Sequence, residues 1–369
     1  MIYLDNGATS FPKPLPVCRA VDRTLRRCAN PGRGGYPAAL EASRQIYACR
    51  EAAGALFSCR PEQVVLTTSC THGLNIAIRS LVRPGARVVV SGFEHNAVIR
   101  PLTALGARLT VAGRKLFDWE DTLEAFRKAL RQGVDAAVFT QASNVFGYIL
   151  PVEELAALCR EAGVPFVIDA AQSAGSLPIS MAELGADFIA MPGHKGLLGP
   201  QGTGLLLCRG EALPLLYGGT GSASRSREMP DFLPDRLEPG TLNVPGFAGL
   251  TEGLRHILKT GTEEIFRREH RQAMRCVRGL QGLGMRVFTG PHQGGTVSFL
   301  SGEDCEEAAQ YLAQQGIAVR AGLHCAPFAH ESAGTLESGT VRVSFGIDAN
   351  ESQTRGLLQA VSKLRPISS

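Results

Sequence analysis

Five short apolar runs, Val64 to Leu66, Val88 to Val90, Ala136 to Phe139, Phe166 to Ile168 and Phe188 to Met191, constrain the fold more than any other feature of the sequence. They lack the polar alternation of half-exposed strands, and turn residues or segments of helical periodicity separate them. Strands that are apolar on both faces belong inside a mainly parallel sheet, because crossover helices cover it from both sides. The runs therefore predict an α/β fold. A proline-started helix over Pro12 to Arg27 and a longer one over Ala38 to Phe57 precede them, with Asn30 to Gly35 (NPGRGG) as a flexible turn between the two.

With 369 residues the chain suits two unequal domains. After Pro245 the pattern changes to a long helical stretch from Phe247 to Leu280, then Met285 to Phe288, Gly295 to Leu300, a helix around Ala308 to Gln315, and strands at Ile317 to Arg320 and Thr340 to Phe345. This reads as a smaller α+β domain of residues 1–11 and 251–369, set against a large domain of residues 12–250. A formal net charge of +4 without basic runs argues against nucleic acid as a partner. No apolar stretch is long enough to span a bilayer and no leader pattern opens the chain, so a cytoplasmic location is expected. The ten cysteines show neither CxxC pairs nor zinc spacing, and no metal is expected. Cys18, Cys28, Cys49, Cys59, Cys159, Cys208, Cys276 and Cys305 read as small buried or half-buried residues of a reducing compartment.

The residues after the apolar runs carry the chemistry. Glu94-His95-Asn96 follows the second run, Gln141 and Asn144 the third, Asp169 and Gln172 the fourth, and His194-Lys195 the fifth. Ligands of open α/β sheets bind outside the carboxyl ends of the strands, so these groups should face one cleft. Lys195 stands out in DFIAMPGHKGLLGPQGTG, because arginine supplies most of the positive charge and glycines on both sides let a ligand approach. After the first run, Thr67 to Gly73 (TTSCTHG) opens a helix with small hydroxyl residues, a composition suited to a phosphate. Singly, each residue has an ordinary explanation: an N-cap for the TTSCTHG stretch, a strand-end cap for Asp169, a satisfied loop histidine for His95, a turn hydrogen bond for Asn144 or Gln172. A lysine, a phosphate cradle and a strand-end aspartate in this order together suggest pyridoxal phosphate.

At this point the chain resembles a known family, the class V aminotransferase-fold enzymes and within it the cysteine desulfurases and selenocysteine lyases. The resemblance rests on YLDNGATSFPKP, SCTHGLN, FEHNAVI, QASNVFG, VIDAAQSAG, MPGHKGLLGPQGTG, LEPGTLNVPG, VRAGLHCAP and VRVSFG, which run in order nearly end to end. It implies the type I fold of pyridoxal-phosphate transferases, with a mainly parallel seven-stranded sheet in the large domain. It further implies Lys195 as Schiff-base lysine and proton shuttle, Asp169 on the pyridine nitrogen, Gln172 beside the phenolic oxygen and His95 against the ring. Asn144 would hold substrate or cofactor oxygens; Thr71, His194 and the Cys70 amide would hold phosphate. Thr241 would reach the phosphate of a neighbouring subunit, implying a homodimer. Arg342 would clamp the substrate carboxylate, with Arg320 nearby.

Cys325, in Arg320-Ala321-Gly322-Leu323-His324-Cys325, resembles the RxGxHC pattern of the group II desulfurases and is the residue that selects the reaction. A thiolate there, favoured by Arg320 and His324, would take sulfur or selenium from L-cysteine or L-selenocysteine as a persulfide and release L-alanine. An acceptor protein would then receive it. Three features depart from the family. Pro192 replaces a frequent serine, Tyr36 replaces a frequent histidine, and Gly218 to Pro234 lacks the alternation of the hairpin that group II relatives carry. A C–S β-lyase or another class V enzyme is the alternative on the same fold, and a non-catalytic cofactor-binding or sulfur-relay module the alternative of another class.

Overall fold

The structure is a computed structural model that describes residues 1–32 and 34–367; Arg33 of the NPGRGG stretch lies outside the described residues, as do Ser368 and Ser369. The chain opens with β1 (Ile2–Tyr3), α1 (Leu15–Arg27) and α2 (Pro37–Phe57). A proline in the first turn of each helix fixes φ where no helical hydrogen bond is lost. Strand and helix then alternate through β2 (Val64–Thr67), α3 (Cys70–Leu81), β3 (Arg87–Ser91), α4 (Asn96–Ala104) and β4 (Arg108–Ala112). The alternation continues with α5 (Trp119–Arg131), β5 (Ala136–Thr140), α6 (Val152–Glu161), β6 (Phe166–Asp169), α7 (Met181–Leu184), β7 (Phe188–Pro192) and β8 (Gly204–Cys208).

These strands form one seven-stranded sheet in the order β2-β8-β7-β6-β5-β3-β4. Only β8 runs against the others, pairing antiparallel with both β2 and β7. The mainly parallel α/β sheet read from the sequence is therefore present. Alternate residues along each strand feed opposite cores. Leu66, Val89, Phe139, Ile168 and Ile189 belong to one cluster, and Val65, Val88, Val138, Val167 and Ala190 to the other. Burying a side chain of this kind contributes about 1.5–3 kcal/mol, which is why the runs are apolar on both faces.

The long helical stretch expected from Phe247 to Leu280 is instead two helices, α8 (Val244–Thr260) and α9 (Thr262–Gly282). Gly261 separates them at φ 84°, a left-handed conformation that ends the first helix. The remainder comprises β9 (Arg286–Phe288), β10 (Thr296–Leu300), α10 (Cys305–Gln314), β11 (Ile317–Ala318), β12 (Arg320–Gly322), α11 (Pro327–Ala333), β13 (Thr340–Ser344) and α12 (Glu351–Val361). The strand expected over Ile317 to Arg320 is divided between two sheets: β11 pairs with β1, and β12 joins a four-stranded antiparallel sheet, β12-β13-β10-β9. A third apolar cluster unites Leu4 with Val297, Val341, Val343 and Leu357, so the N-terminal residues pack with the C-terminal ones. Gly218 to Pro234 holds neither helix nor strand. Cys18 corrects one expectation, being exposed on α1 next to the buried Val17; the other seven cysteines in that group are buried or half-buried.

Candidate active site

Most of the polar groups expected at the strand ends meet, but Glu94, Asn96 and Gln141 do not line the cleft: Glu94 and Gln141 are buried, and Gln141 donates to the Pro178 carbonyl. Strands β2, β7, β6, β5 and β3 deliver Cys70, Thr71, His95, Asn144, Asp169, Gln172, His194 and Lys195 to one cleft of about 530 Å³. Pro192, the last residue of β7, also lines it. At the mouth of α3 the Ser69 hydroxyl accepts from the His72 amide, and the amides of Cys70 and Thr71 have no partner among the described residues. Free amides at a helix N-terminus are an anion site. Cys70 is buried and burial pushes its thiol well up, so this cysteine stays protonated.

Asp169 ends β6 and is buried, with Oδ1 accepting from the Ala171 amide at 2.9 Å and facing the Cys70 thiol at 3.5 Å. Burial raises its pKa, while the Ala171 amide and Lys195 work against that rise. Both of these contacts fall on Oδ1, and Asp169 lines the cleft. His95 caps α4 through Nδ1, which accepts from the Ala97 amide at 3.0 Å; its hydrogen therefore sits on Nε2. Burial, then Lys195, push its pKa down to about 4, leaving a neutral ring for stacking. Burial also lowers the pKa of Lys195, with Cys70 opposing and Arg342 adding. Its amine thus loses a proton more readily than an ordinary lysine. Gln172 donates to the Gly7 carbonyl at 3.0 Å. An anion cradle, a buried carboxylate, a neutral ring and an easily deprotonated amine in one cleft fit pyridoxal phosphate.

The sequence reading missed what holds this lysine. The His194 carbonyl, one peptide before Lys195, accepts from the Ser10 amide (3.0 Å), the Thr9 hydroxyl (2.9 Å) and the Lys13 ammonium (2.7 Å). All three belong to YLDNGATSFPKP, whose role could have been sought from its crowding of small polar residues around one lysine. Lys13 is half-buried, and burial brings its pKa down to about 8. Glu94 was also unassigned. It is fully buried, accepts from the Ser91 hydroxyl and the Thr140 amide, and is pushed up to about 8 by burial.

The four-stranded sheet supplies the other wall. Arg342 on β13 lies directly opposite Arg320 on β12, a pairing of like charges that would be unfavourable alone. Asp5 resolves it, its Oδ1 accepting from Arg342 at 2.7 Å and its Oδ2 from Arg320 at 3.2 Å. Arg342 is buried and also donates to the Asn144 carbonyl at 3.1 Å, while its Nε has no partner among the described residues. Breaking such a pair, with Arg342 buried, costs about 3–5 kcal/mol, so Asp5 fixes the orientation of the fork.

Cys325 is exposed at the tip of the loop after β12, and its carbonyl accepts from the Asn96 amide at 2.7 Å, beside His95. The His324 carbonyl accepts from Asn144 Nδ2 at 2.8 Å. Both residues have left-handed backbones, φ 51° and 56°. That conformation costs about 1–3 kcal/mol per residue and persists only where surroundings impose it. One expectation is corrected: burial, with Arg342 next, pushes His324 down to about 3, so this neutral ring brings no positive charge to the thiol. Thr241 does not reach this chain's cleft. It is exposed, on a segment anchored by Glu238, which is buried against Arg50 (2.6 Å) and the Leu66 amide (2.6 Å).

Comparison with known proteins agrees with this geometry. The family model for aminotransferase class V matches residues 2–357. A probable cysteine desulfurase of Methanothermobacter thermautotrophicus is 32% identical over 363 residues, covering 93% of this chain and 89% of that protein. The apo structure of a cysteine desulfurase from Thermococcus onnurineus superposes with a TM-score of 0.90 at 30% identity, covering 98% of this chain and 94% of the other. A complex of the cystine C–S lyase C-DES with cysteine persulfide shares the fold, with a TM-score of 0.84 at 23% identity, covering 99% of this chain and 98% of that one. The chain belongs to the aminotransferase class-V family.

Proposed function

We propose that the chain is a pyridoxal-phosphate-dependent cysteine desulfurase that passes the sulfur of L-cysteine to Cys325 and releases L-alanine. The observation that carries this reading is the docking of the Cys325 loop beside His95, with Asn96 and Asn144 holding its backbone at the rim of the cleft that contains Lys195. The names of the relatives support it. Pyridoxal phosphate supplies the electron sink that labilises bonds at the substrate's α- and β-carbons.

The chain's own residues do the rest. Thr71, His194 and the Cys70 amide would hold the phosphate, Asp169 would pair with the pyridine nitrogen, Gln172 would serve the phenolic oxygen, and the neutral His95 ring would stack on the cofactor. Arg342, with Arg320 and Asn144, orients the substrate carboxylate. Lys195 Nζ would anchor the cofactor and carry the α-proton. The Cys325 thiolate attacks the substrate sulfur; the new S–S bond forms as the Cβ–S bond breaks, and the carbon skeleton takes protons to leave as alanine. Within this reading residues 12–250 form the cofactor domain, residues 1–11 and 251–369 form the domain that carries Cys325, and Thr241 serves a partner's phosphate in a homodimer. A cytoplasmic enzyme handing sulfur to an acceptor protein completes it, with L-selenocysteine as a further substrate. No helix among the described residues is long and apolar enough to cross a membrane.

Mass spectrometry of the protein after exposure to L-cysteine tests the reading, with one added sulfur expected on the peptide that contains Cys325. Undiminished sulfide release by Cys325→Ala, with no sulfur added, would replace it by C–S β-elimination, the chemistry in the name of the C-DES lyase.

A further inference from the structure

Helix α11 leaves the Cys325 loop and carries His330, which is fully buried and belongs to none of the motifs in the sequence. Its ring lies edge to edge with that of His324, with centroids 5.7 Å apart and planes 8° from parallel, and meets Phe146 at 5.8 Å. Four groups lie in a row. His324 Nε2 is 3.4 Å from the Arg320 carbonyl, His324 Nδ1 is 3.5 Å from His330 Nε2, and His330 Nδ1 is 2.8 Å from the Thr335 hydroxyl.

The protons in this row follow from its end. A carbonyl only accepts, so the contact with Arg320 assigns the hydrogen of His324 to Nε2. A neutral imidazole has one N–H, so His324 Nδ1 accepts and His330 Nε2 donates to it. By the same step His330 Nδ1 accepts, and the Thr335 hydroxyl, itself buried, donates. Both rings are held neutral by burial, down to about 3 for His324 and about 4 for His330, which keeps the one-way chain of donors intact. The backbone of the left-handed His324-Cys325 pair is held by Asn144 and Asn96 from the large sheet, whereas the His324 side chain is held by His330.

We propose that His330 is a positioning residue for sulfur transfer: it fixes the ring plane and the Nε2–H tautomer of His324, and through His324 the presentation of the Cys325 thiol. This rests on Cys325 being the sulfur acceptor. The test uses the holoenzyme labelled with ¹⁵N-histidine, whose 8 histidines can be assigned by substitution. His330→Phe keeps a ring against Phe146 but removes both nitrogens. Long-range ¹H–¹⁵N spectra taken without cysteine should show His324 as the Nε2–H form in the wild type and as a mixture of tautomers in the variant. The kcat for alanine formation should fall about tenfold or more with KM for cysteine unchanged, as for a misplaced reacting group. His330→Gln, which returns an N–H donor near the position of Nε2, should recover most of that loss. If His330→Phe does not fold, Thr335→Val must shift the His324 nitrogens from the far end of the row. A His324 spectrum unchanged in these variants would overturn the proposal, as would a lowered kcat that glutamine does not restore. Failure of the wild type to load sulfur on Cys325 would instead sink the functional reading, and the tautomer measurement would stand on its own result.

Discussion

The cleft has two walls, and they are built on different principles. On the wall from the parallel sheet, Asp169 and His95 sit at or just past strand ends, and local contacts with the Ala171 and Ala97 amides set their geometry, while of the three only Lys195 is braced from afar, through the His194 carbonyl by Thr9, Ser10 and Lys13. On the wall from the four-stranded sheet, Arg342, Arg320 and Cys325 are fixed by partners far away in sequence: Asp5 for both arginines, Asn144 and Asn96 for the thiol loop. The first arrangement gives a rigid cofactor seat. The second brings the proposed acceptor thiol on a loop whose left-handed residues depend on contacts across the molecule. Cofactor binding and choice of reaction should therefore separate under mutation.

The sharpest attempt to break that division is Lys195→Ala. Its loss should abolish turnover by at least about a thousandfold, as removal of a covalent anchor and proton carrier does. The visible absorption of lysine-bound pyridoxal phosphate should vanish, while far-ultraviolet circular dichroism stays unchanged. A lysine-type absorption band in the variant would show that the anchor lies elsewhere.

Cys325→Ala addresses the other wall. Alanine formation with loading of sulfur should drop by about a hundredfold or more, with the cofactor spectrum equal to that of the wild type. The two walls separate if one substitution removes the spectrum and the other removes only the product. Loss of cofactor in Cys325→Ala would mean that the thiol loop is part of the seat. Arg342→Lys acts more gently. It keeps the charge but removes the fork that pairs with Asp5 and suits a carboxylate, and a charge-assisted hydrogen bond is worth about 1.5–3 kcal/mol. KM for cysteine should rise about 10- to 100-fold with a smaller change in kcat, measured by steady-state alanine release.

The same contrast explains what could be read from the sequence. Strands such as β5 and β6 were legible because burial on both faces leaves an unbroken apolar run, and the residue after the run then falls at the sheet edge by geometry. Strand β8 was not, because its GLLLC run continues from a glycine-rich loop that drew attention for other reasons, and it alone runs antiparallel. Gly261 was passed over because helical periodicity resumes one residue later. Asp5 stood in a recognised motif, yet its two arginines lie more than 300 positions away, and pairing at that range leaves no periodic trace. The same holds for His330, whose relation to His324 is a matter of two rings meeting and not of spacing alone.

The smallest effect concerns pH, and it divides by kind of group. His324 and His330 ordinarily titrate near 6.5 but are held neutral in the folded chain down to about 3 and about 4. Between pH 6.5 and about 4 the unfolded chain binds protons that the folded chain does not, so acid costs stability on the Cys325 side, as it does through His95 on the other wall. Glu94 has the opposite sign. Its carboxyl, ordinarily near 4.5, keeps its proton to about 8 because burial outweighs the Ser91 and Thr140 hydrogen bonds. Between pH 4.5 and about 8 the folded chain holds a proton that the unfolded chain releases, so stability contributed by this group is lost as pH rises. Glutamine has the shape of the protonated acid and cannot ionise. Glu94→Gln should therefore leave the melting temperature at pH 5 almost unchanged and raise it at pH 8.5 by about 1–3 °C, read by calorimetry. A gain at pH 5 equal to that at pH 8.5 would show that the effect is one of packing, and an alkaline loss would mean that Glu94 is ionised and paired in the fold.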